Sequence, residues 1–211
     1  MQTDFSAVVF DYFDVLVDWR PHRVVGAFYP PGVTDMFFDD HDPHGYEFCR
    51  ARAAAGVPDG KILDDYTREH GPAVGWILRL LLQHRALGFY DMPVGMPTLL
   101  RELRAAGVRM VGLANCSETA VEQMQVKYPW LGLLDGTMVS ARECIAKPDP
   151  ALFERAIRAF HLDTAHTLFV ENTAANAAAA IAVEGEKTIN PDMSADAVQR
   201  RMQEQEEFNH E

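Results

Sequence analysis

Short continuous apolar runs, each followed by a helical pattern, restrict this chain to an α/β fold with a parallel sheet. Ala7 to Phe10 (AVVF) is such a run, and it reads as a strand buried on both faces. The same kind of run recurs at Met110–Leu113, Thr137–Val139 and Thr167–Val170, with Lys187–Ile189 as a fifth candidate. Between them lie amphipathic patterns. Leu99, Leu100 and Leu103 form one face before Gly107. Leu152, Phe153, Ala156, Ile157 and Phe160 form another, opened by Asp149 and Pro150 as N-cap and first-turn residues. An alanine-rich helix, Ala174 to Val183, follows Thr173 and stops at Gly185. Strands alternating with helices imply right-handed crossovers between parallel strands.

The stretch from about Trp19 to Met110 breaks this rhythm, because it contains no convincing strand. It holds turns at Pro30-Pro31-Gly32, Asp42-Pro43-His44-Gly45 and Pro58-Asp59-Gly60, and helical patterns at Tyr46–Ala55 and Ala73–Leu87. A structureless loop of that length is implausible in a compact domain, so an inserted all-helical subdomain is expected. The division is then a core of residues 1–17 and 93–211 with a subdomain at 18–92. An insertion directly after the first strand sits over the C-terminal edge of the sheet, where open α/β sheets bind ligands. The final stretch, QRRMQEQEEFNHE, is polar and expected to fray.

Composition narrows the function classes. With 48% hydrophobic and 24% charged residues among 211, the chain reads as an ordinary soluble globular protein. Its net charge of −12 disfavours non-specific nucleic-acid binding, which needs a basic surface. Cys49, Cys116 and Cys144 match no zinc spacing, and an odd count suits a reduced, cytoplasmic protein. The N-terminal MQTDFSAVVFDYFD lacks a basic region and carries acids in its apolar run, unlike a signal peptide. The longest apolar stretch elsewhere, WILRLLL, is too short for a membrane span and contains Arg79.

The chemistry is expected where strands end. Asp11 follows the first run, and Ala114, Asn115, Cys116 and Ser117 follow the second. Lys147 lies past the third, and Glu171, Asn172 and Asn176 follow the fourth. Each alone is a common turn, cap or loop residue. Together they place a carboxylate, an amide, a cation and a second carboxylate at one sheet edge, the set that covalent phosphoryl or acyl-type transfer uses.

In this order the motifs resemble those of the haloacid dehalogenase superfamily of aspartate-nucleophile hydrolases. FDYFDVLVDW is similar to the family's first motif, LANCS to the second, IAKPDPALFERAI to the third and FVENTAAN to the fourth. The resemblance implies a Rossmann-like parallel sheet flanked by helices, with the insertion as a helical cap. It implies that Asp11 is the nucleophile, that Lys147 neutralises it and the transferring group, and that Asn115 hydrogen-bonds the substrate's anionic group. Cys116 and Ser117 beside Asn115, and Arg20 beside Trp19, complete the expected substrate-binding set. It further implies Mg²⁺, held by Asp11, the backbone carbonyl of Phe13 and Glu171, with Asn172 at the adjoining position. The expected reaction is Mg²⁺-assisted phosphomonoester hydrolysis on a small phosphorylated metabolite enclosed by the cap, in a monomer or homodimer.

Three positions depart from the pattern. Phe13 stands where the family's phosphatases usually carry a general-acid Asp, and Asp14 is one step further along, at an offset position. Ala114 replaces a Ser or Thr, and Asn172 replaces a second acid. Losing a positioned acid typically costs ~10²–10⁴ in rate, most for poor leaving groups. Two rivals follow: a catalytically degenerate relative that binds a phosphorylated ligand or protein partner, and a metal-independent 2-haloacid dehalogenase, whose motifs carry an aromatic at the place of Phe13. Arg20 is the one candidate for halide contact. Asp39 to His44 (DDHDPH) has metal-like composition but reads as a solvated loop, and Cys116 reads as a packed thiol. His22 and Tyr29, early in the insertion, are possible substrate contacts.

Overall fold

Strand β1 (Ala7–Asp11) is buried at all five positions, as a strand covered on both faces must be. The computed structural model describes residues 5–184 and 188–189. Five strands form one parallel sheet in the order β3-β2-β1-β4-β5, with β2 (Arg109–Ala114), β3 (Gly136–Val139), β4 (Thr167–Val170) and β5 (Thr188–Ile189). Register sets Asp11 of the central strand opposite Leu113 of β2, and Phe10 opposite Val170 of β4. The tail from residue 190, Lys187 and the expected stop at Gly185 lie outside the described residues.

Side chains along a strand point alternately to the two faces, and the two cores follow that alternation. Val8, Phe10, Met110 and Leu168 pack on one side, with Leu99, Leu100 and Leu103 of α5 (Met96–Ala105) and Val121 and Met124 of α6 (Glu118–Lys127). Val9, Val111, Leu113 and Phe169 pack on the other, with Leu152 and Phe153 of α8 (Pro150–Ala159) and Ala179 and Ala180 of α9 (Ala174–Glu184). The Asp149 side chain accepts from the Ala151 backbone N–H, the expected cap of α8.

The residues between β1 and α5 are helical: α1 (Pro21–Gly26), α2 (Pro31–Phe37), α3 (Tyr46–Ala54), α4 (Asp59–Gln83) and a 3₁₀ turn at Arg85–Leu87. They bury a third cluster of their own, including Val24, Phe37, Ile62, Tyr66, Leu78 and Leu81. Two segments carry the chain into and out of this insertion and run antiparallel. The Asp18 N–H donates to Asp91, the Tyr90 N–H back to Asp18 and the Arg20 N–H to Gly88. Two expected turns are corrected here. Pro30-Pro31-Gly32 and Pro58-Asp59-Gly60 open α2 and α4, since Pro31 occupies a first-turn position where the missing N–H has no helical partner to lose. The pattern at Ala73–Leu87 covers the second limb of α4, which kinks at Gly71 (φ 81°) and Pro72 and ends at Gln83, and the 3₁₀ turn after it.

Gly112 in β2 faces the ring of Tyr12, and a Cβ built there would lie 2.3 Å from the ring. Tyr12 is fully buried, and its hydroxyl bonds Thr137 of β3 at 2.8 Å. The Gly112→Ala variant is therefore expected to lose about 1–3 kcal/mol of stability by forcing that ring off its packing. Urea denaturation would measure it; an unchanged midpoint would mean that the ring moves freely. Among the described residues, no helix is long and apolar enough to cross a membrane.

Candidate active site

Asp11 ends the central strand and is 4% exposed. Two groups meet its Oδ1: the Tyr12 N–H donates at 2.7 Å and the Lys147 Nζ lies at 2.7 Å. Lys147 arrives on the loop between α7 (Ser140–Glu143) and α8, and its side chain has no exposure. Its ammonium also donates to the Leu113 carbonyl at 2.9 Å and to both oxygens of Glu171 at 3.1 Å. All three N–H donors of a lysine are thereby used. Burial alone would lower the Lys147 pKa, but Asp11 and Glu171 outweigh it and the net direction is upward.

Glu171 follows β4 and is 1% exposed, and Asn176 donates to its Oε2 at 3.2 Å. Burial pushes its carboxyl up to about 8 against the opposing pull of Lys147. Asn115 follows β2, and its amide clasps the Lys147 backbone in both directions: Nδ2 donates to the carbonyl at 2.9 Å and Oδ1 accepts from the N–H at 2.8 Å. Three strand ends and the lysine loop thus form one hydrogen-bonded constellation, with Lys147 in contact with both Asp11 and Glu171.

A cleft of about 520 Å³ opens over it, lined by Asp11, Phe13, Asn115, Lys147, Asn172 and Asn176 among others. A second, mainly apolar chamber adjoins it between the insertion and the core, lined by residues that include Ile62, Leu78, Leu81, Phe89 and Cys116. Phe13, Trp19, Tyr46 and Arg50 line both cavities. The Phe13 ring packs on Trp19 and Phe89, with centroids 5.6 and 6.5 Å away. Asp14 lines the cleft too, at φ 60°, with Oδ1 accepting the Trp19 N–H at 3.0 Å.

Other expected residues fall differently. Arg20 lies outside both cavities: it pairs with Asp18 through Nε at 2.8 Å and stacks 3.9 Å from the Tyr90 centroid. Ser117 precedes α6 without capping it through its side chain, and its Oγ accepts from Arg85 at 2.8 Å. Arg85, 7% exposed, also donates to Asp59, so one buried guanidinium links the insertion to the second strand end. His22 stacks on Phe38 in a separate cavity that Asp39, Asp40 and Asp42 share. Tyr29 packs against the insertion's own core.

Cys116 lines the apolar chamber, and burial lifts its thiol to about 12, while burial lifts Cys49 to about 11. Cys144 is exposed. At pH 8 a thiol reagent such as Ellman's is therefore expected to titrate one cysteine of the native protein quickly, because only thiolates react. Loss of that fast phase in Cys144→Ser checks the assignment, and persistence of it would overturn it.

Sequence reading missed Arg50 and Arg85. Nothing in the local sequence marks them, since the insertion's packing alone carries them to the sheet edge.

Among the described residues no three His, Cys, Asp or Glu side chains converge on a metal position. The oxygen donors lining the cleft instead include the Asp11, Asp14 and Glu47 carboxylates and the Asn115, Asn172 and Asn176 amides. That all-oxygen set fits Mg²⁺, which binds through one or two carboxylates with waters and substrate phosphate, and does not fit Zn²⁺. Both oxygens of Glu171 are turned to Lys147.

The chain is similar to known proteins over most of its length. The model of the haloacid dehalogenase-like hydrolases matches residues 5–184. The sesquiterpene phosphatase astK of Aspergillus oryzae (strain ATCC 42149 / RIB 40) is 35% identical over 186 residues, covering 87% of this chain and 88% of that protein. The HAD family enzyme bt-2542 of Bacteroides thetaiotaomicron, solved with magnesium and inorganic phosphate, superposes with a TM-score of 0.70 at 17% identity, covering 90% of this chain and 96% of that one. The L-2-haloacid dehalogenase of Xanthobacter autotrophicus, solved with chloropropionic acid covalently bound, gives 0.64 at 17% identity, covering 93% and 81%. At such identities these two structures speak for the fold.

Proposed function

Because this chain belongs to the haloacid dehalogenase-like hydrolases, we propose that it is a phosphatase that hydrolyses the phosphate ester of a small apolar metabolite through an aspartyl intermediate on Asp11. One observation carries the reading: a fully buried ammonium, Lys147, holds the Asp11 carboxylate at 2.7 Å beneath an open cleft. The cation holds Asp11 in place, and Glu171 and Asn115 keep the lysine in place as positioning residues. Both described contacts of Asp11 fall on Oδ1, so Oδ2 is the oxygen assigned to phosphorus. Asp11, the Phe13 carbonyl and Asn172 would hold Mg²⁺, which when bound screens the negative charge of the phosphoryl group.

The apolar chamber supports the substrate class, and so does the likeness to a protein called a sesquiterpene phosphatase. Residues 18–92 act in this reading as a cap that closes the cleft against bulk water. The dehalogenase alternative draws on Phe13 but loses Arg20, which stands outside the site. A panel of phosphate esters and 2-haloacids, assayed with Mg²⁺ and with chelator, tests the reading. Phosphate release that needs Mg²⁺ is expected. Haloacid turnover without metal, or release of nothing from any ester, would overturn it.

A further inference from the structure

We infer that Phe13 and Arg50 make this site selective for a leaving group that is already a stable anion, and that its substrate is the diphosphate of an apolar alcohol, cut at the terminal phosphoryl group. This deepens the phosphatase reading and rests on it. With the phosphoryl group at Asp11 and the hydrocarbon in the apolar chamber, the leaving oxygen sits where the two cavities meet. That junction is lined by Phe13, Trp19, Tyr46 and Arg50.

None of the four carries a carboxyl or an imidazole, the usual donors of a proton to a leaving alkoxide. Phe13 and Trp19 offer rings. The Tyr46 hydroxyl accepts from Trp19 Nε1 at 3.2 Å, and burial lifts its pKa to about 12. Arg50 brings a guanidinium, a planar cation suited to neutralising an anion. Its Nε donates to Glu47 Oε2 at 2.7 Å, which braces it on α3. Elsewhere in the cleft, Lys147 spends its three donors on Asp11, Glu171 and Leu113, while Asp14, whose carboxyl pKa burial raises, has Oδ1 bound to the Trp19 N–H and does not line the apolar chamber. A junction with one cation and no carboxylic acid of its own suits an inner phosphate.

The step balances without an acid. Asp11 Oδ2 bonds to the terminal phosphorus while the bond from that phosphorus to the bridging oxygen breaks. The electron pair leaves with the oxygen as an alkyl phosphate. Water then attacks the aspartyl phosphorus, the Asp11 carboxylate departs with its pair, and the water's proton goes to the released phosphate.

The test compares dodecyl diphosphate with dodecyl monophosphate, saturated tails that cannot ionise at carbon, using the full chain with Mg²⁺. Wild type is expected to favour the diphosphate by roughly 10²-fold or more in kcat/KM, with dodecyl phosphate accumulating. Phe13→Asp should raise monophosphate hydrolysis and narrow that ratio at least about tenfold. A second readout needs no variant: across aryl phosphates, wild-type rates should fall steeply as the phenol becomes more basic. Equal rates on the two dodecyl substrates, or a flat aryl series, would overturn the inference. So would selective loss of monophosphate hydrolysis in Asp14→Asn, which would make Asp14 the acid. The two readings fail separately: 4-nitrophenyl phosphate turnover lost in Asp11→Asn, with no diphosphate preference, sinks only this inference, whereas no turnover of any phosphate sinks both.

Discussion

Asp11→Asn is expected to lower phosphate-ester turnover by at least about 10³-fold while leaving the protein folded, because an amide cannot form the aspartyl intermediate. The substitution is nearly isosteric. Its carbonyl oxygen can still accept the Tyr12 N–H, and Lys147 keeps Glu171 and the Leu113 carbonyl. The expected signature is therefore loss of kcat with an unchanged far-UV spectrum and a melting temperature close to wild type. Rapid-quench experiments should show a phosphorylated protein in wild type and none in the variant. Residual turnover within tenfold of wild type would mean that another group, or water, attacks the phosphorus.

Lys147→Met should have the largest effect on stability of any single change at the site. The ammonium lies between two buried carboxylates, Asp11 at 2.7 Å and Glu171 at 3.1 Å, with no side-chain exposure. Removing one partner of a buried ion pair leaves uncompensated charge and typically costs 3–5 kcal/mol, on the order of a third of a domain's stability. In a chain of 211 residues each kcal/mol corresponds to roughly 2–4 °C, so a fall of about 6–20 °C in melting temperature is expected. The double variant Lys147→Met with Glu171→Gln should recover part of that loss above about pH 8, where Glu171 would otherwise have to be buried as an unpaired anion or take up a proton, but it should not recover activity. A single variant as stable as wild type would show that water or proton uptake replaces the lysine's role.

The strands were legible because parallel-sheet burial leaves a continuous apolar run. Thr167–Val170 is β4 residue for residue, and Ala7–Phe10 is one residue short of β1. The strand ends were legible for a related reason: a polar residue directly after such a run lies at the sheet's edge, wherever the rest of the chain goes. Pro31 and Pro58 misled because proline serves turns and helix starts alike, and the residues that follow decide between them. The resemblance implied a substrate contact for Asn115, and the structure adds what no local pattern indicated: its amide clasps the Lys147 backbone, a partner 32 residues away.

From its residues alone, then, this chain determined an α/β sheet, an insertion after the first strand, and a carboxylate, an amide, a cation and a second carboxylate following successive strands. Those follow from periodicity and burial, which act over a few residues at a time. Tertiary structure decided the rest. It turned Glu171 toward Lys147, moved Arg20 out of the site, and brought Arg50 from the insertion to the junction where Phe13 faces two cavities. Such placements depend on how helices of the insertion pack over the sheet edge, and that packing joins residues too far apart in the chain for any local pattern to relate them.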